Sequence, residues 1–247
     1  MRRFALEVWT YRQIEHAAST GKWVVLLPTG STEPHGPHMG LGVDTAISLG
    51  VAELACEKLE ASGFTASIAP SINYGVTDCA EGFAGAISIP AGVLKEYIGS
   101  VASGWLDHGA AHVCLVNNHL EPGHYKVMLD LAKAMENVSV SCPLERSVGR
   151  LLTDEYKSGA CHAGQYETSI IMACEPDLVR DIDTSSLPSN AISLSEHLQK
   201  GVSKFKDMGI MDAYAGSPKD ATKEEGERSL EILANAVSEK VQSELNK

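Results

Sequence analysis

Along the chain, short apolar runs alternate with longer segments in which apolar residues recur every three or four positions, the pattern of buried strands separated by helices. The clearest strand is WVVLLP at 23–28, preceded by a segment at 11–20 that predicts a helix. Ile47, Val51, Leu54, Ala55 and Leu59 fall on one face of a helix expected over 45–59, with Asp44 or Thr45 placed to cap it. Residues 65–69, 111–117 and 138–142 read as further strands, and 93–108, 125–136 and 164–174 as helices, with a last helix over 223–245. Residues 182–220 scatter Ser, Pro and Gly around one short helical stretch. Regular alternation of strand and helix predicts an α/β fold with a largely parallel sheet. With no internal repeat and no linker, residues 1–247 read as a single domain.

Three polar clusters interrupt this pattern, each following an apolar segment or opening a helix, where open α/β sheets place their sites. The first, GSTEPHGPHMGLGVDT, carries Glu33 and His35 two residues apart, a spacing that in extended backbone points both side chains to one face. Pro34 and Pro37 favour that extended form, and Gly36, Gly40 and Gly42 allow a turn that returns Asp44 toward the pair. The second cluster, NHLEPGH, repeats the spacing with His119 and Glu121, stiffened by Pro122. Two imidazoles and three carboxylates form the ligand complement of a dinuclear Zn, Mn or Fe site with a bridging carboxylate. Spacing alone leaves a polar surface loop open as well: Asp44 suits a helix cap, and His35 with His38 a hydrogen-bonded turn.

Composition narrows the function classes. The net charge is -12, from 32 acidic against 20 basic side chains, which disfavours nucleic acid and anionic membrane as partners. Apolar residues at 44% and charged residues at 21% are those of an ordinary globular protein. Cys56, Cys79, Cys114, Cys142, Cys161 and Cys174 contain no C-x-x-C pair and sit mostly in apolar runs, as free thiols of a reducing compartment do. No apolar run is long enough for a signal peptide or a membrane span, and the expected location is cytoplasmic.

LLPTGSTEPHGPHMGLGVDT resembles the signature of the creatininase (creatinine amidohydrolase) family, an apolar strand followed by P-x-G-S-x-E-x-H-G-P-H-L-P-x-x-x-D. NNHLEPGH, HAGQYETS and GSPKDATKEEGERS resemble further segments of the same family, so the likeness spans most of the chain. The resemblance implies a three-layer α/β/α fold, frequent assembly into homo-oligomers (hexamers), and two divalent metal ions per subunit. It implies that Glu33, Asp44 and His119 hold one ion and His35 and Glu121 the other, with Asp44 bridging. It also implies that His162 assists proton transfer, Glu121 being a second candidate for the shuttle. Glu167 is expected to orient a ligand or the histidine, His38 to support the site from behind, and His124 to lie on the surface at a helix start.

Two divalent ions flanking a water lower its pKa toward neutrality, and one ion can polarise a carbonyl under attack. An amide nitrogen leaves only when protonated, which calls for an acid such as His162. The leading expectation is therefore hydrolysis of a C–N bond in a small cyclic amide or formamide. Departures from the family pattern concern the substrate. Leu120 stands where creatininase has tyrosine, Ala84 and Ala86 interrupt an F-P-G-T segment, and Asp78 and Glu81 replace a histidine-bearing loop. Trp9, Trp23 and Trp105 all lie away from the third polar cluster, CHAG at 161–164. Alternatives are a pathway deformylase, mycofactocin-type peptide trimming, C–C hydrolysis of a cyclic diketone sugar, and a non-catalytic binding or assembly protein.

Overall fold

The computed structural model describes residues 2–180 and 184–246, without the side chain of Arg2. Residues 182 and 183 of the stretch expected to be irregular thus lie outside the described residues. In chain order the main elements are α1 (Tyr11–Ser19), β1 (Trp23–Thr29), α2 (Val43–Ala61), β2 (Thr65–Ile68), α3 (Ala91–Asp107), β3 (His112–Asn117), α4 (Pro122–Ala134) and β4 (Val138–Ser141). Short helices α5 (Arg146–Gly149) and α6 (Asp154–Ser158) precede α7 (Gln165–Cys174), α8 (Leu194–Gln199) and α9 (Lys223–Leu245). The four strands form one sheet in the order β2-β1-β3-β4, every neighbour parallel.

The strand period of two sorts β1 and β3 onto two cores. Val24, Leu26, Cys114 and Val116 face α2, α7 and α9, while Trp23, Val25, Leu27, Val113 and Leu115 face α1, α3 and α4. A parallel sheet covered on both faces explains why WVVLLPT is apolar almost throughout and wholly buried. Each fully buried Leu or Ile contributes about 1.5–3 kcal/mol, and Leu26, Ile47, Leu59, Leu94, Ile98 and Leu115 are of this kind. The three layers match the expected architecture. Trp23 and Trp105 meet edge to face, 6.1 Å between centroids, in the core on the α1, α3 and α4 side.

β1 is followed through α2 by β2 on one flank, and the chain then returns through α3 to β3 on the other flank. The carboxyl ends of β1 and β3 therefore flank the point where the strand order reverses, where open α/β sheets bind ligands. A third, small cluster of Cys79, Ala80, Phe205, Met208, Ile210 and Ala215 lies apart from both cores.

Candidate metal centre

The loop after β1 is folded tightly enough to require glycine at two positions. A Cβ on Gly30 would lie 2.6 Å from the Thr45 amide nitrogen, so this residue lets α2 start against the end of β1. Gly36 has φ 66° and donates its N–H to Ala213 O, turning the chain between His35 and His38. The expected cap is corrected: Gly42 occupies the N-cap of α2, and Asp44 is its second residue, with the carboxylate turned inward and 1% exposed. The positive end of the helix dipole favours a carboxylate there.

Glu33, His35, Asp44 and His119 converge. His35 Nε2 lies 3.3 Å from Asp44 Oδ1 and 4.0 Å from Glu33 Oε1. His119 Nδ1 lies 3.0 Å from Asp44 Oδ2 and 3.5 Å from Glu33 Oε1. Backbone carbonyls orient both imidazoles. His35 donates from Nδ1 to Glu33 O at 3.1 Å and His119 from Nε2 to Val76 O at 2.7 Å, which aims the other nitrogen of each at carboxylates. Ser31 donates to Asp44 at 2.9 Å, and Thr77 donates to Glu33 Oε2.

Glu121 lies beside Glu33, Asp44 and His119 in the lining of one cavity. Its carboxylate accepts from the backbone N–H groups of Asp78 and Cys79 at 3.0 and 3.1 Å. The carboxylate that completes the group around His35 is Glu167, whose Oε2 lies 3.8 Å from His35 Nε2 and accepts from Ala163 N–H at 2.6 Å. Among the described residues, donor atoms within 4.8 Å of one another form three groups: Glu33–Asp44–His119, His35–Asp44–Glu167 and Glu33–His35–His162. Asp44 belongs to the first two, as a bridging carboxylate would, and Glu121 belongs to none. Asn117 Nδ2 donates to His119 O, and Glu121, the N-cap of α4, keeps an extended backbone while the two amides hold its carboxylate beside the cage.

His162 donates from Nε2 to Pro34 O at 3.0 Å and turns Nδ1 toward Glu33 Oε1 at 3.9 Å. Its ring lies between His35 and Phe205, 4.6 Å from each. His38 sits behind the loop, with Nε2 3.0 Å from Thr168 Oγ1 on α7. His124 is not on the surface: α4 begins beneath His119, and the His124 ring is fully buried, edge to face with His119 at 4.8 Å.

Electrostatics follows from burying so many charges. Burial pushes Asp44 up, but His119 and His35 override it and hold the group well below the usual carboxylate range. Burial lowers His35 and His119, yet the facing carboxylates raise them to about 9 and about 10. Burial raises Glu33 and Glu121, and takes Glu167 to about 8. Burial and the neighbouring His35 lower His162 to about 3. The cage fits divalent ions: the bare His35 nitrogen is buried with no hydrogen-bond partner, and only a proton or a cation reconciles two lone pairs with the carboxylates they face.

A cavity of about 50 Å³ above the cage is walled by Leu120, Leu194, Leu198, Phe205, Cys79 and Cys161. Ala84 and Ala86 do not line it. Phe83 and Ala86 instead pack against the third cluster, Asp78 accepts from Ser88 Oγ, and Glu81 pairs with Lys204 at 2.6 Å. The lid residues Leu194, Leu198 and Phe205 carry no motif. Thr77 follows no local pattern either, whereas Ser31 lies within the G-S of the signature.

The family model described as creatinine amidohydrolase, Creatininase, matches residues 7–241. The chain belongs to the creatininase family. It is 31% identical over 231 residues to the mycofactocin precursor peptide peptidase of Mycolicibacterium smegmatis, covering 88% of this chain and 84% of that protein. It is 24% identical over 261 residues to the creatinine amidohydrolase of Pseudomonas putida, covering 95% of each. A solved manganese form of creatininase superposes with a TM-score of 0.71 at 22% identity, covering 99% of both chains, which supports the same fold. This creatininase-family protein is thus a hydrolase by family, with candidate metal-ligand groups at the switch point of its sheet. No helix among its described residues is long and apolar enough to cross a membrane.

Proposed function

We propose that this creatininase-family chain is a single-domain hydrolase that uses two divalent ions, Zn, Mn or Fe, to cleave an amide C–N bond in a small molecule or peptide. One ion is assigned to Glu33, Asp44 and His119, and the other to His35, Asp44 and Glu167. The observation that carries the reading is the shared Asp44, whose two oxygens face His35 and His119 separately. When bound, such ions lower the pKa of water and polarise a carbonyl.

The protein's own groups supply the rest. His162 is fixed by Pro34 O with its proton on Nε2, so Nδ1 is a base in the resting site and must take a proton before it can give one to a leaving nitrogen. Burial, with His35 beside it, lowers its pKa to about 3 and keeps the resting imidazole neutral. Glu121 lines the cavity beside the cage, held by two amides, and is positioned to pass a proton without being a ligand. Leu194, Leu198 and Phe205 line the cavity with apolar surface.

For the substrate, a small cyclic amide or formamide is one reading and a peptide amide the other. The second is favoured by the mycobacterial peptidase being the more similar of the two relatives, and by walls of leucine and phenylalanine with no tryptophan to enclose a flat ring. The six free thiols suit a cytoplasmic setting, and a homo-oligomer follows from the family likeness. The test is a metal titration joined to a turnover panel of creatinine, lactams, formamides and short peptides. Two ions per subunit with hydrolysis of one amide class is the expected result. Fewer than two ions, or no amide hydrolysed, would overturn the reading.

A further inference from the structure

The segment 216–217 and the helix α6 lie outside the cage, and Gly216 and Ser217 open one of the stretches resembling the family. They meet at Glu155. Its Oε1 accepts from Tyr166 N–H at 2.8 Å and its Oε2 from Ser217 N–H at 2.6 Å. A Cβ on Gly164 would lie 2.5 Å from Oε1, and one on Gly216 2.5 Å from Oε2, so both glycines leave room for this carboxylate. Gly216, with φ 126°, adopts a backbone that other residues rarely reach.

The two amides belong to the segments that position the cage. Tyr166 is the second residue of α7, whose N-cap, Gly164, offers no side-chain cap, and Glu167 follows it directly. Ala215, two residues before Ser217, donates its N–H to His162 O at 2.7 Å. Asn190 exchanges two backbone hydrogen bonds with Gly216 from the far side. Glu155 therefore ties the start of α7 to the strand-like segment that backs His162, without itself facing the cage.

We propose that Glu155 is a positioning residue that fixes Glu167 and His162, and so tightens the His35–Asp44–Glu167 ion selectively over the Glu33–Asp44–His119 ion. The second group is held by Thr77, Ser31 and Val76, none of which touches Glu155. A residue that merely stabilised the fold would loosen both ions together. The inference rests on the two-ion reading above.

The experiment is chelator competition on wild type and Glu155→Gln, with metal content and Tm followed in parallel. Glutamine keeps one acceptor oxygen but turns an NH₂ group toward the other amide. Loss of a supporting partner behind a metal ligand costs about 10–100-fold in affinity, and here one of two ions should be released about tenfold more readily in the variant, the same ion that His35→Ala releases. Both ions held as in wild type, or both loosened equally, overturns the proposal. Wild type binding fewer than two ions overturns the two-ion reading, and the clamp falls with it. If Glu155→Gln does not fold, hydrogen exchange on the wild type decides. Linkage is reciprocal, so metal loading should slow exchange at the Tyr166 and Ser217 amides, and unchanged exchange there overturns the clamp.

Discussion

The cage at the ends of β1 and β3 and the lid above it are held in different ways. Each cage group is oriented by a neighbour within hydrogen-bonding distance: Glu33 by Thr77, Asp44 by Ser31, His35 and His119 by carbonyls, Glu167 by the Ala163 amide. The lid, Leu194 and Leu198 on α8 with Phe205, is apolar and belongs to the small third cluster. It hangs from Gly159 O at one end and from Cys79 O, Gly82 O and Glu81 at the other. Atoms that perform chemistry need fixed positions, whereas walls that select a substrate need only shape and polarity. The two regions should therefore fail differently when altered.

The largest effects belong to the cage. Glu33→Gln and His119→Ala should abolish binding of the ion they share and reduce kcat/KM by about 10³-fold or more, since several kcal/mol of transition-state stabilisation are lost. Metal analysis of the purified variants checks this. His162→Ala should lower kcat by about 10²–10⁴-fold with both ions retained. If metal content fell as well, His162 would belong among the ligands, a role its Nδ1 could reach through the Glu33–His35–His162 group.

Proton linkage separates cage from lid without mutation. In the metal-free protein His35 and His119 lie at about 9 and about 10, so at pH 7 both are protonated and both must lose a proton to become ligands. The apparent affinity of each ion should then rise about tenfold per pH unit below that range for the histidine proton it displaces. Calorimetry in buffers of different ionisation enthalpy measures the release. The sign for stability follows from the same shift. A histidine raised above its unfolded value of about 6.5 stabilises the metal-free fold fully below that pH, and the contribution is lost as pH rises through 9 to 10. The Tm of metal-free protein should fall across that window, and lid variants should leave the fall unchanged.

What was legible in the sequence follows this division. Glu33, His35 and Asp44 stand in local turn chemistry after β1, where short-range spacing marked them, and His119 stands in the same kind of segment after β3. Glu121 was expected as a ligand from the family resemblance; its carboxylate accepts from the Asp78 and Cys79 amides and belongs to none of the three donor groups. Glu167 reaches His35 only through the packing of α7 against α2, a long-range relation that no periodicity encodes; its family segment marked it as a supporting residue without showing that it faces Asp44. His124 looked like a surface residue at a helix start, and burial beneath His119 is likewise tertiary. The lid is the least legible part, since Leu194, Leu198 and Phe205 lie in a stretch without strand or long-helix period. The sheet and its main helices, by contrast, followed from apolar period to within a few residues.

Lid substitutions should alter selection and leave metal content alone. Leu198→Ala widens the apolar wall, and a change of this size in a hydrophobic pocket corresponds to about 1–3 kcal/mol, or about 10–200-fold, in discrimination. The expected loss is in kcat/KM toward amides flanked by a bulky apolar group, with small formamides little affected. Equal losses on both would mean that Leu198 acts through the cage, and the separation of the two regions would fail.

The smallest effect tests the lid's outer tie. Lys204 and Glu81 pair at 2.6 Å on the surface, and exposed pairs contribute little because solvent and salt screen them. Lys206 adds a hydrogen bond to Gly82 O and stands 4.8 Å over the Phe83 ring. Lys204→Met should leave Tm and metal content unchanged. Leu194, Leu198 and Phe205 wall the cavity above the cage, so loosening α8 and Phe205 widens the way in for a peptide. The variant should then raise kcat/KM modestly for the longest peptides while leaving small amides as they were. Salt should mimic it in the wild type and have no further effect in the variant, because the pair it screens is gone. A salt effect that persists in Lys204→Met would place the control of entry elsewhere in the lid, with Lys206 the next residue to replace.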